Sequence, residues 1–356
     1  MTKELALSDL DLGALGWSDE LAPALEPGHV PGRVVAAHRA AFDVALGGGA
    51  LVRSRLPGRL AHYDAIDVAV GDWVAMRDGL IRAVLPRRSA LVRSAAGLTS
   101  HAQTLAANVD VVFIVSSLGP DLEPRRLERY LVTVWESGAS PEIVLTKSDR
   151  FEDPAALSDM VATVEAVALG VPVFVVSSVT GEGVADVCAR IGAGRTSVLV
   201  GSSGVGKSTL VNAWLGNELM AVNETRADDD EGRHTTTHRE LIELPGGGMV
   251  IDTPGIRELQ LSDVGSSGAL EEAFADVDEL VAQCRFNDCE HRTEPDCAVR
   301  AALADGSLAG ERYASWQKLQ RELRAIAVRT DARLRREEKK KWQQRAKVGK
   351  ARARRI

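Results

Sequence analysis

A glycine-rich segment that also carries a lysine and a serine has the residue types needed to bind phosphate groups. It spans residues 201–208, follows the apolar stretch 197–200 and precedes the helix-like pattern 209–215. Glycines let the backbone wrap closely around phosphate oxygens, and the N-terminus of the following helix adds a favourable potential. Lys207 is expected to reach the β- and γ-phosphates, in catalysis as well as binding, and Ser208 is expected to bind Mg²⁺. The predicted phosphate-binding loop consists of Gly201, Ser202, Ser203, Gly204, Val205, Gly206, Lys207, Ser208 and Thr209.

A second segment with the chemistry to sense a terminal phosphate is Asp-Thr-Pro-Gly at residues 252–255, directly after the apolar stretch 249–251. An aspartate at the end of a strand can hold the Mg²⁺ shell, and the N–H of a nearby glycine can contact a γ-phosphate. Asp252 and Gly255 are therefore predicted to complete the triphosphate site.

A third segment can distinguish guanine from adenine. Thr-Lys-Ser-Asp at residues 146–149 closes the apolar strand pattern 142–145. A carboxylate there can accept hydrogen bonds from N1–H and N2–H₂ of guanine, which adenine does not offer, and the lysine stem can pack along the base. Two serines at the end of the apolar stretch 171–176 would supply the backbone that closes over the base. The residues predicted to bind guanine are Thr146, Lys147, Ser148, Asp149, Ser177 and Ser178.

Residues 232–238 read Gly-Arg-His-Thr-Thr-Thr-His and have the composition of a nucleotide-sensing switch. One threonine is expected to contact Mg²⁺, and the sequence does not choose among Thr235, Thr236 and Thr237. After Gly255 comes Ile256, where Ras-like enzymes place a glutamine that orients water. An isoleucine cannot do this, so either His234 or a partner must complete the catalytic site, and we expect slow intrinsic hydrolysis.

Three cysteines and one histidine lie within fourteen residues of the C-terminal part. Three thiolates and an imidazole form a closed tetrahedral ligand set for one structural zinc ion, although reduced thiols without metal remain the alternative. The predicted zinc ligands are Cys284, Cys289, His291 and Cys297. The fourth cysteine, Cys188, lies on a helix pattern and is interpreted as a small core residue.

The charge distribution is more informative than the net charge of −7. Residues 321–356 contain fifteen lysines and arginines but four acidic residues, so the remaining 320 residues carry an excess of 18 negative charges. Such a dense cluster of cations next to a zinc module favours contact with RNA phosphates. A solvated tail is the alternative.

Composition also excludes several classes of protein. No apolar run approaches the about 18 residues of a membrane-spanning helix, and the acidic N-terminus lacks the apolar core of a signal peptide. Four cysteines in 356 residues do not suit a disulfide scaffold. We therefore expect a cytoplasmic protein with no membrane partner.

The elements that must position these residues change character along the chain. Short apolar stretches separated by glycine-rich turns predict a small all-β OB-type barrel, and longer alternating β and α units predict a P-loop α/β domain with a parallel sheet. A mostly helical zinc-binding domain should follow. The predicted divisions are a loose acidic arm (1–29), the barrel (30–96), the α/β domain (97–280), the zinc domain (281–330) and a basic tail (331–356).

The motifs occur in a circularly permuted order. In an ordinary GTPase the phosphate loop precedes the base-reading motif, whereas here residues 146–149 and 177–178 precede 201–208 and 252–255. The site tolerates such an order because each motif lies at the carboxyl end of a parallel strand, and strand neighbours can be kept.

The permuted order, the phosphate loop, residues 232–237 and 252–255 and the cysteine–histidine spacing together resemble the bacterial ribosome small-subunit-dependent GTPase A family over residues 32–320. The resemblance implies a GTP-hydrolysing factor that acts late in maturation of the small (30S) ribosomal subunit, binds rRNA and is stimulated by the subunit. It also implies GTP, GDP, Mg²⁺ and one zinc ion as ligands, and a catalytic role for His234. We expect a monomer. Thr146 departs from the asparagine of many GTPases, which weakens one possible contact to the nucleotide.

Three alternatives remain at this point. A related permuted GTPase could act on the large subunit, but the N-terminal β unit and the C-terminal cysteine cluster argue against it. A P-loop ATPase or kinase would not need Asp149. An RNA-binding module with a vestigial nucleotide site would not need an intact Lys207, Ser208 and Asp252.

Overall fold

The structure, a computed structural model, describes residues 11–38, 41–47, 50–57, 67–93, 103–216, 239–252, 267–330, 333–336 and 339. The chain divides into two compact units, residues 1–260 and 261–356. Among the helices that the structure describes, none is long and apolar enough to cross a membrane.

Thirteen strands are described, all in the first unit. They are β1 (Val30–Ala37), β2 (Phe42–Ala45), β3 (Leu51–Ser54), β4 (Trp73–Arg77), β5 (Leu80–Val84), β6 (Ala90–Arg93), β7 (Gln103–Ala107), β8 (Val111–Ser117), β9 (Ser140–Thr146), β10 (Val173–Val175), β11 (Thr196–Val200), β12 (Arg239–Glu243) and β13 (Met249–Asp252). Besides two short 3-10 helices at Asp19–Ala24 and Ser148–Arg150, eight α-helices are described in the two units. They are α1 (Pro124–Ser137), α2 (Pro154–Val167), α3 (Val184–Ile191), α4 (Lys207–Leu215), α5 (Ser267–Ala273), α6 (Ala275–Ala282), α7 (Ala298–Asp305) and α8 (Gly310–Thr330).

The α/β part of the first unit is built on strands in the order β10-β9-β8-β11-β13-β12. The first five are parallel, and β12 is antiparallel to β13. All residues of β8 and β11 are buried, because helices cover a parallel sheet on both faces. Trp214 of α4 packs against Phe113 of β8 in this core, and its indole N–H donates to the carbonyl of Val184. The predicted P-loop α/β architecture is confirmed.

Strands β1 to β5 form the small barrel. β1 pairs with β2 and β4, β2 pairs with β3, and β4 pairs with β5. A parallel bridge between Arg55 and Leu80 brings the end of β3 next to β5. The barrel interior is lined by small and medium apolar side chains, namely Val34, Val44, Val74, Met76 and Ile81. This arrangement agrees with the predicted OB-type barrel.

The barrel and the α/β sheet share a strand pairing. β1 pairs antiparallel with β12 through Ala36 with Glu240 and Ala37 with Arg239. A single sheet therefore runs from β10 to β3. β6 and β7 form a separate two-stranded sheet, so the C-terminal end of the segment assigned to the barrel lies outside it.

The N-terminal segment differs from its prediction as a loose arm. From residue 11 onward it packs on the barrel: Leu12 and Leu21 are buried in a cluster with Trp73. The ring of Trp17 meets Trp73 edge-on, with centroids 4.9 Å apart. Residues 1–29 are acidic overall, but a few apolar side chains among them are enough to anchor the segment on the barrel. Residues 1–10 lie outside the described part.

The second unit is helical, as predicted. Residues 267–282 form two helices, α5 and α6, which are interrupted at Phe274. Arg312 of α8 fixes this junction, because its buried guanidinium donates to the carbonyl of Ala273 and to Asp276 and stacks 4.1 Å from the ring centre of Phe274. One side of α8 is apolar and buried, at Tyr313, Trp316, Leu319 and Leu323.

Candidate nucleotide and metal sites

The predicted phosphate loop joins β11 to α4. Gly201 has a φ of 138°, and a Cβ there would lie 2.1 Å from the carbonyl oxygen of Val115, so only glycine fits. The ammonium of Lys207, the first residue of α4, donates to the carbonyls of Gly201 and Ser202, each at 2.7 Å. Its positive charge is thus held against the loop whose N–H groups are expected to surround the phosphates.

The base-reading segment is tied to the phosphate loop by Thr146. The buried hydroxyl of this residue, at the end of β9, donates to the carbonyl of Val205 at 2.5 Å. An asparagine is therefore not required to link the two segments. The next residue, Lys147, has a φ of 65°, which turns the chain sharply after the strand.

Asp149 is oriented by Ser177. The serine hydroxyl donates to Oδ1 of Asp149 at 2.6 Å, and it accepts from the backbone N–H groups of Val179 and Thr180 at 3.2 and 3.1 Å. Since both N–H groups use the lone pairs of the hydroxyl, its single proton is directed to the carboxylate. Ser178 is half-buried beside this arrangement, and Ser148 is buried.

The strand ends bring these segments to one edge of the sheet. The carboxyl ends of β9, β10, β11 and β13 lie together because the strands are parallel neighbours or one strand apart. Ser208 follows β11, and Asp252 is the last residue of the adjacent β13. Hydroxyl and carboxylate oxygens are donors of the kind that Mg²⁺ prefers, so residue types at these two chain positions suit the predicted ion. Thr235, Thr236, Thr237, His234 and Gly255 lie outside the described residues.

The four predicted metal ligands come together in the second unit. Their ligand atoms all lie within 4.8 Å of one another. Nδ1 of His291 is 3.5 Å from Sγ of Cys284 and 3.4 Å from Sγ of Cys297, and these two sulfurs are 3.8 Å apart. Cys289 completes the set. Three sulfurs and one ring nitrogen around a common centre can hold one metal ion, and this donor set suits zinc.

The pKa values of the cysteine and histidine side chains in the cluster are consistent with a bound cation. Burial would raise the pKa of Cys284, but backbone N–H groups of Val299 and Ala298 outweigh it and hold that pKa below its ordinary value. Burial and the nearby thiols raise the pKa of Cys289 to about 11. Cys289 therefore keeps its proton at neutral pH unless a bound cation displaces it. Burial lowers the pKa of His291, which keeps its ring neutral and able to bind metal.

Two aromatic residues that the sequence did not associate with the metal cluster position its histidine. The ring of His291 stands edge-on to Tyr313 and Trp316, with centroid distances of 6.4 and 6.2 Å, and the two aromatic rings stack on each other. Nothing in the spacing of Tyr313 and Trp316 along the sequence reveals that they pack against His291.

The sequence of this chain is similar to those of known proteins. The family model described as RsgA GTPase matches residues 84–262. A curated relative from Streptomyces coelicolor, named small ribosomal subunit biogenesis GTPase RsgA, is 46% identical over 96% of this chain and 94% of its own length. A relative of the same name from Streptomyces avermitilis is 47% identical over 94% of this chain and 90% of its own length.

Solved structures agree with this result. The crystal structure of YjeQ from Thermotoga maritima aligns with a TM-score of 0.62 at 28% identity, covering 83% of this chain and 98% of YjeQ. YloQ, a circularly permuted GTPase, aligns with a TM-score of 0.61 at 26% identity, covering 83% of this chain and 96% of YloQ. The family match, the relatives and the permuted motif order lead to one conclusion: this chain belongs to the RsgA GTPase family.

Proposed function

We propose that this protein binds and hydrolyses GTP and acts in late maturation of the small ribosomal subunit. The observation that carries the proposal is the pairing of the phosphate loop with a carboxylate, Asp149, that Ser177 holds in a fixed orientation at the same sheet edge. This arrangement favours a guanine nucleotide over ATP. The curated relatives named above support the assignment to small-subunit biogenesis and do not favour the large subunit.

The proposed roles of the site residues follow from their positions. Residues 201–209 surround the phosphates, Lys207 neutralises charge on the β- and γ-phosphates, and residues 146–149 with 177–178 hold the base. Ser208, Asp252 and one of the switch threonines, for which we propose Thr236, would hold Mg²⁺. When bound, this ion neutralises charge that develops on the phosphate oxygens during transfer. Gly255 would contact the γ-phosphate through its N–H.

Water activation is assigned to His234. Ile256 offers no polar atom where other GTPases use glutamine, and the Gly-Arg-His-Thr-Thr pattern at 232–236 matches the family. We propose that docking on the small subunit brings His234 into place, so that the subunit stimulates turnover and hydrolysis releases the protein.

The cysteine–histidine cluster, the barrel and the basic tail are assigned to the binding of zinc and rRNA. We propose that Cys284, Cys289, His291 and Cys297 hold one structural zinc ion, and that the barrel, zinc module and basic tail contact rRNA. The protein would work as a cytoplasmic monomer. The boundaries 1–29, 30–96, 97–280, 281–330 and 331–356 are proposed as its functional divisions.

The decisive experiment measures GTP turnover with small subunits, with large subunits and with neither. We expect strong stimulation by small subunits alone and a clear preference for GTP over ATP. Equal rates in all three reactions would contradict the proposed function, and stimulation by large subunits alone would redirect it to the other subunit.

A further inference from the structure

Trp214 lies near the C-terminal end of α4, the helix that begins with Lys207 of the phosphate loop. Its side chain is buried, and the indole N–H donates to the backbone carbonyl of Val184 at 3.1 Å. Val184 is the first residue of α3 and directly follows the segment that begins with Ser177. The side chain of Trp214 therefore joins the helix of the phosphate loop to the segment that is expected to close over the base.

This segment, residues 177–183, is called the base loop here, and its own hydrogen bonds close it. The N–H of Ser177 donates to the carbonyl of Glu182 at 3.0 Å, and the N–H of Gly181 donates to the carbonyl of Ser177 at 2.9 Å. The start and the end of the loop are thus tied to each other. Because they are joined, a bond that holds Val184 in place also restrains Ser177.

The contacts continue from the base loop back to the phosphate loop. The hydroxyl of Ser177 donates to Asp149, and the hydroxyl of Thr146, three residues earlier, donates to the carbonyl of Val205 in the phosphate loop. α4 then leads from the phosphate loop to Trp214. These bonds form a closed ring around the carboxyl edge of the sheet, and Trp214 supplies a step of the ring that lies outside the nucleotide-binding motifs.

Trp73 shows that a tryptophan can be buried in this chain without such a bond. Its side chain is fully buried, yet its indole N–H has no hydrogen-bond partner among the described residues. Burial of the ring and hydrogen bonding of the N–H are therefore separate properties of a tryptophan side chain. The first is common to Trp73 and Trp214, whereas the bond to the end of the base loop belongs to Trp214.

We propose that Trp214 is a positioning residue for guanine recognition: it holds the base loop so that Ser177 keeps the carboxylate of Asp149 directed to the base. Trp214 acts through the backbone of Val184 and does not touch the nucleotide. The carboxylate is expected to bind both N1–H and the exocyclic amino group of guanine, whereas hypoxanthine offers N1–H alone. A displaced carboxylate therefore costs guanine more than hypoxanthine. This inference rests on the proposed binding of guanine nucleotides.

The test measures the affinities of the full-length protein for GDP and for inosine diphosphate (IDP), whose base is hypoxanthine, by titration. Trp214→Phe keeps an aromatic ring and removes the N–H. A second variant carries benzothienylalanine at residue 214, which has sulfur in place of the N–H and keeps the size of the ring, so it leaves no cavity. Trp73→Phe is the matched control, because it removes a buried N–H that has no partner among the described residues.

We expect the affinity for GDP to fall about three- to tenfold in both Trp214 variants, which is the range for loss of one hydrogen bond. The affinity for IDP should fall less, so that the ratio of the two affinities decreases about threefold. Trp73→Phe should leave this ratio unchanged. A purely structural role of Trp214 would weaken GDP and IDP equally. An unchanged ratio in the Trp214 variants, or an equal decrease in Trp73→Phe, therefore overturns the inference.

The variant Ser177→Ala tests the path from Trp214 to the carboxylate. It should itself lower the ratio of GDP to IDP affinity, because it removes the bond to Asp149. Adding Trp214→Phe to this variant should lower the ratio no further, since both changes interrupt the same connection. Losses that simply add would show that Trp214 acts by another route and would overturn the inference.

These affinities are measured without ribosomal subunits, which separates the inference from the proposed function. If small subunits do not stimulate turnover, the proposed function fails, whereas the ratio of GDP to IDP affinity in the Trp214 variants still decides the inference. If subunits stimulate the parent and the parent prefers GDP, but the Trp214 variants keep the ratio of the parent, the function stands and the inference fails. A parent that does not prefer GDP to IDP also overturns the inference.

Discussion

At the scale of single residues, the hydrogen bond from Ser177 holds the carboxylate of Asp149 in a fixed orientation. The hydroxyl donates to Oδ1 at 2.6 Å, which leaves Oδ2 as an acceptor without this bond. We propose that the base specificity of the site depends on this fixed acceptor at residue 149.

Replacing Asp149 by Asn should lower GTP affinity by at least about a hundredfold, because an amide N–H would face the N–H groups of guanine. Affinity for xanthosine triphosphate should rise, since xanthine offers an oxygen where guanine has its amino group. Titration with labelled nucleotides measures both effects. Asp159→Asn, at an exposed position of α2, is the control and should change neither. Unchanged GTP affinity in the Asp149 variant would show that this carboxylate does not read the base.

His234 is the residue to which we assign water activation. Replacing it by Ala should abolish subunit-stimulated turnover and leave GTP affinity nearly unchanged, because a water-orienting group acts mainly in the transition state. Single-turnover hydrolysis with saturating small subunits measures this, and His238→Ala controls for loss of a nearby imidazole. A variant that loses GTP binding as well would indicate a structural role for His234.

At the scale of elements, the cysteine cluster joins the loop after α6 to the start of α7 and lies against α8. Because metal binding must displace protons from the thiols, zinc affinity should fall as the pH falls. Cys289, whose pKa is raised to about 11, is protonated throughout the neutral range, so a metal ion that binds its sulfur must displace that proton. Each proton displaced should cost about tenfold in affinity per pH unit.

Competition with a chelator at pH 6 and pH 8 measures this dependence. Zinc should be lost more readily at pH 6, and the helical signal of the second unit should decrease with it. The Cys188→Ser variant, in which the changed residue lies outside the cluster, should retain one zinc ion per chain. The Cys297→Ser variant should lose it. A zinc affinity that does not depend on pH would contradict ligation by protonatable thiols.

Most elements were accessible to sequence reasoning because their signals are local. The solid apolar run of β8 and the Pro154 start of α2, where Asp153 accepts from the N–H of Ala155, are examples. Other features depend on residues distant in sequence. Arg87, for example, forms an ion pair with the buried Asp72 at 2.7 Å. Composition could not reveal this ion pair, because Arg87 and Asp72 are 15 residues apart and come together only when the chain is folded.

At the scale of the whole molecule, the N-terminal segment is part of the core and not an appendage. Arg33, fully buried in β1, donates to the carbonyl of Leu15 and to the hydroxyl of Thr196 in β11 at 2.8 Å. One side chain therefore connects this segment, the barrel and the strand that leads to the phosphate loop.

Deleting residues 1–25 should destabilise the protein by about 3–6 kcal/mol, because it removes the buried Leu12 and Leu21 and exposes Trp73. Chemical denaturation followed by tryptophan fluorescence measures the change. A chain that lacks only residues 1–10 retains these contacts and is the control. Equal stability of the longer deletion and the full chain would mean that the segment contributes nothing to the core.

The identity of the nucleotide site could be predicted from sequence, whereas the joining of the barrel to it could not. The motifs carry their chemistry in short stretches such as 201–208, and parallel strand ends bring such stretches together in any order. The pairing of β1 with β12 joins residues about two hundred positions apart, and Ala36 and Ala37 carry no signal of their partner.

That pairing limits how this protein can be recombined with its relatives. Expressing the α/β part alone would remove the strand that covers the outer edge of β12. Bare strand edges pair with other chains, so a GTPase part produced without its barrel should self-associate even with every nucleotide motif intact. The barrel and the GTPase part should therefore be produced together, as one continuous stretch of chain.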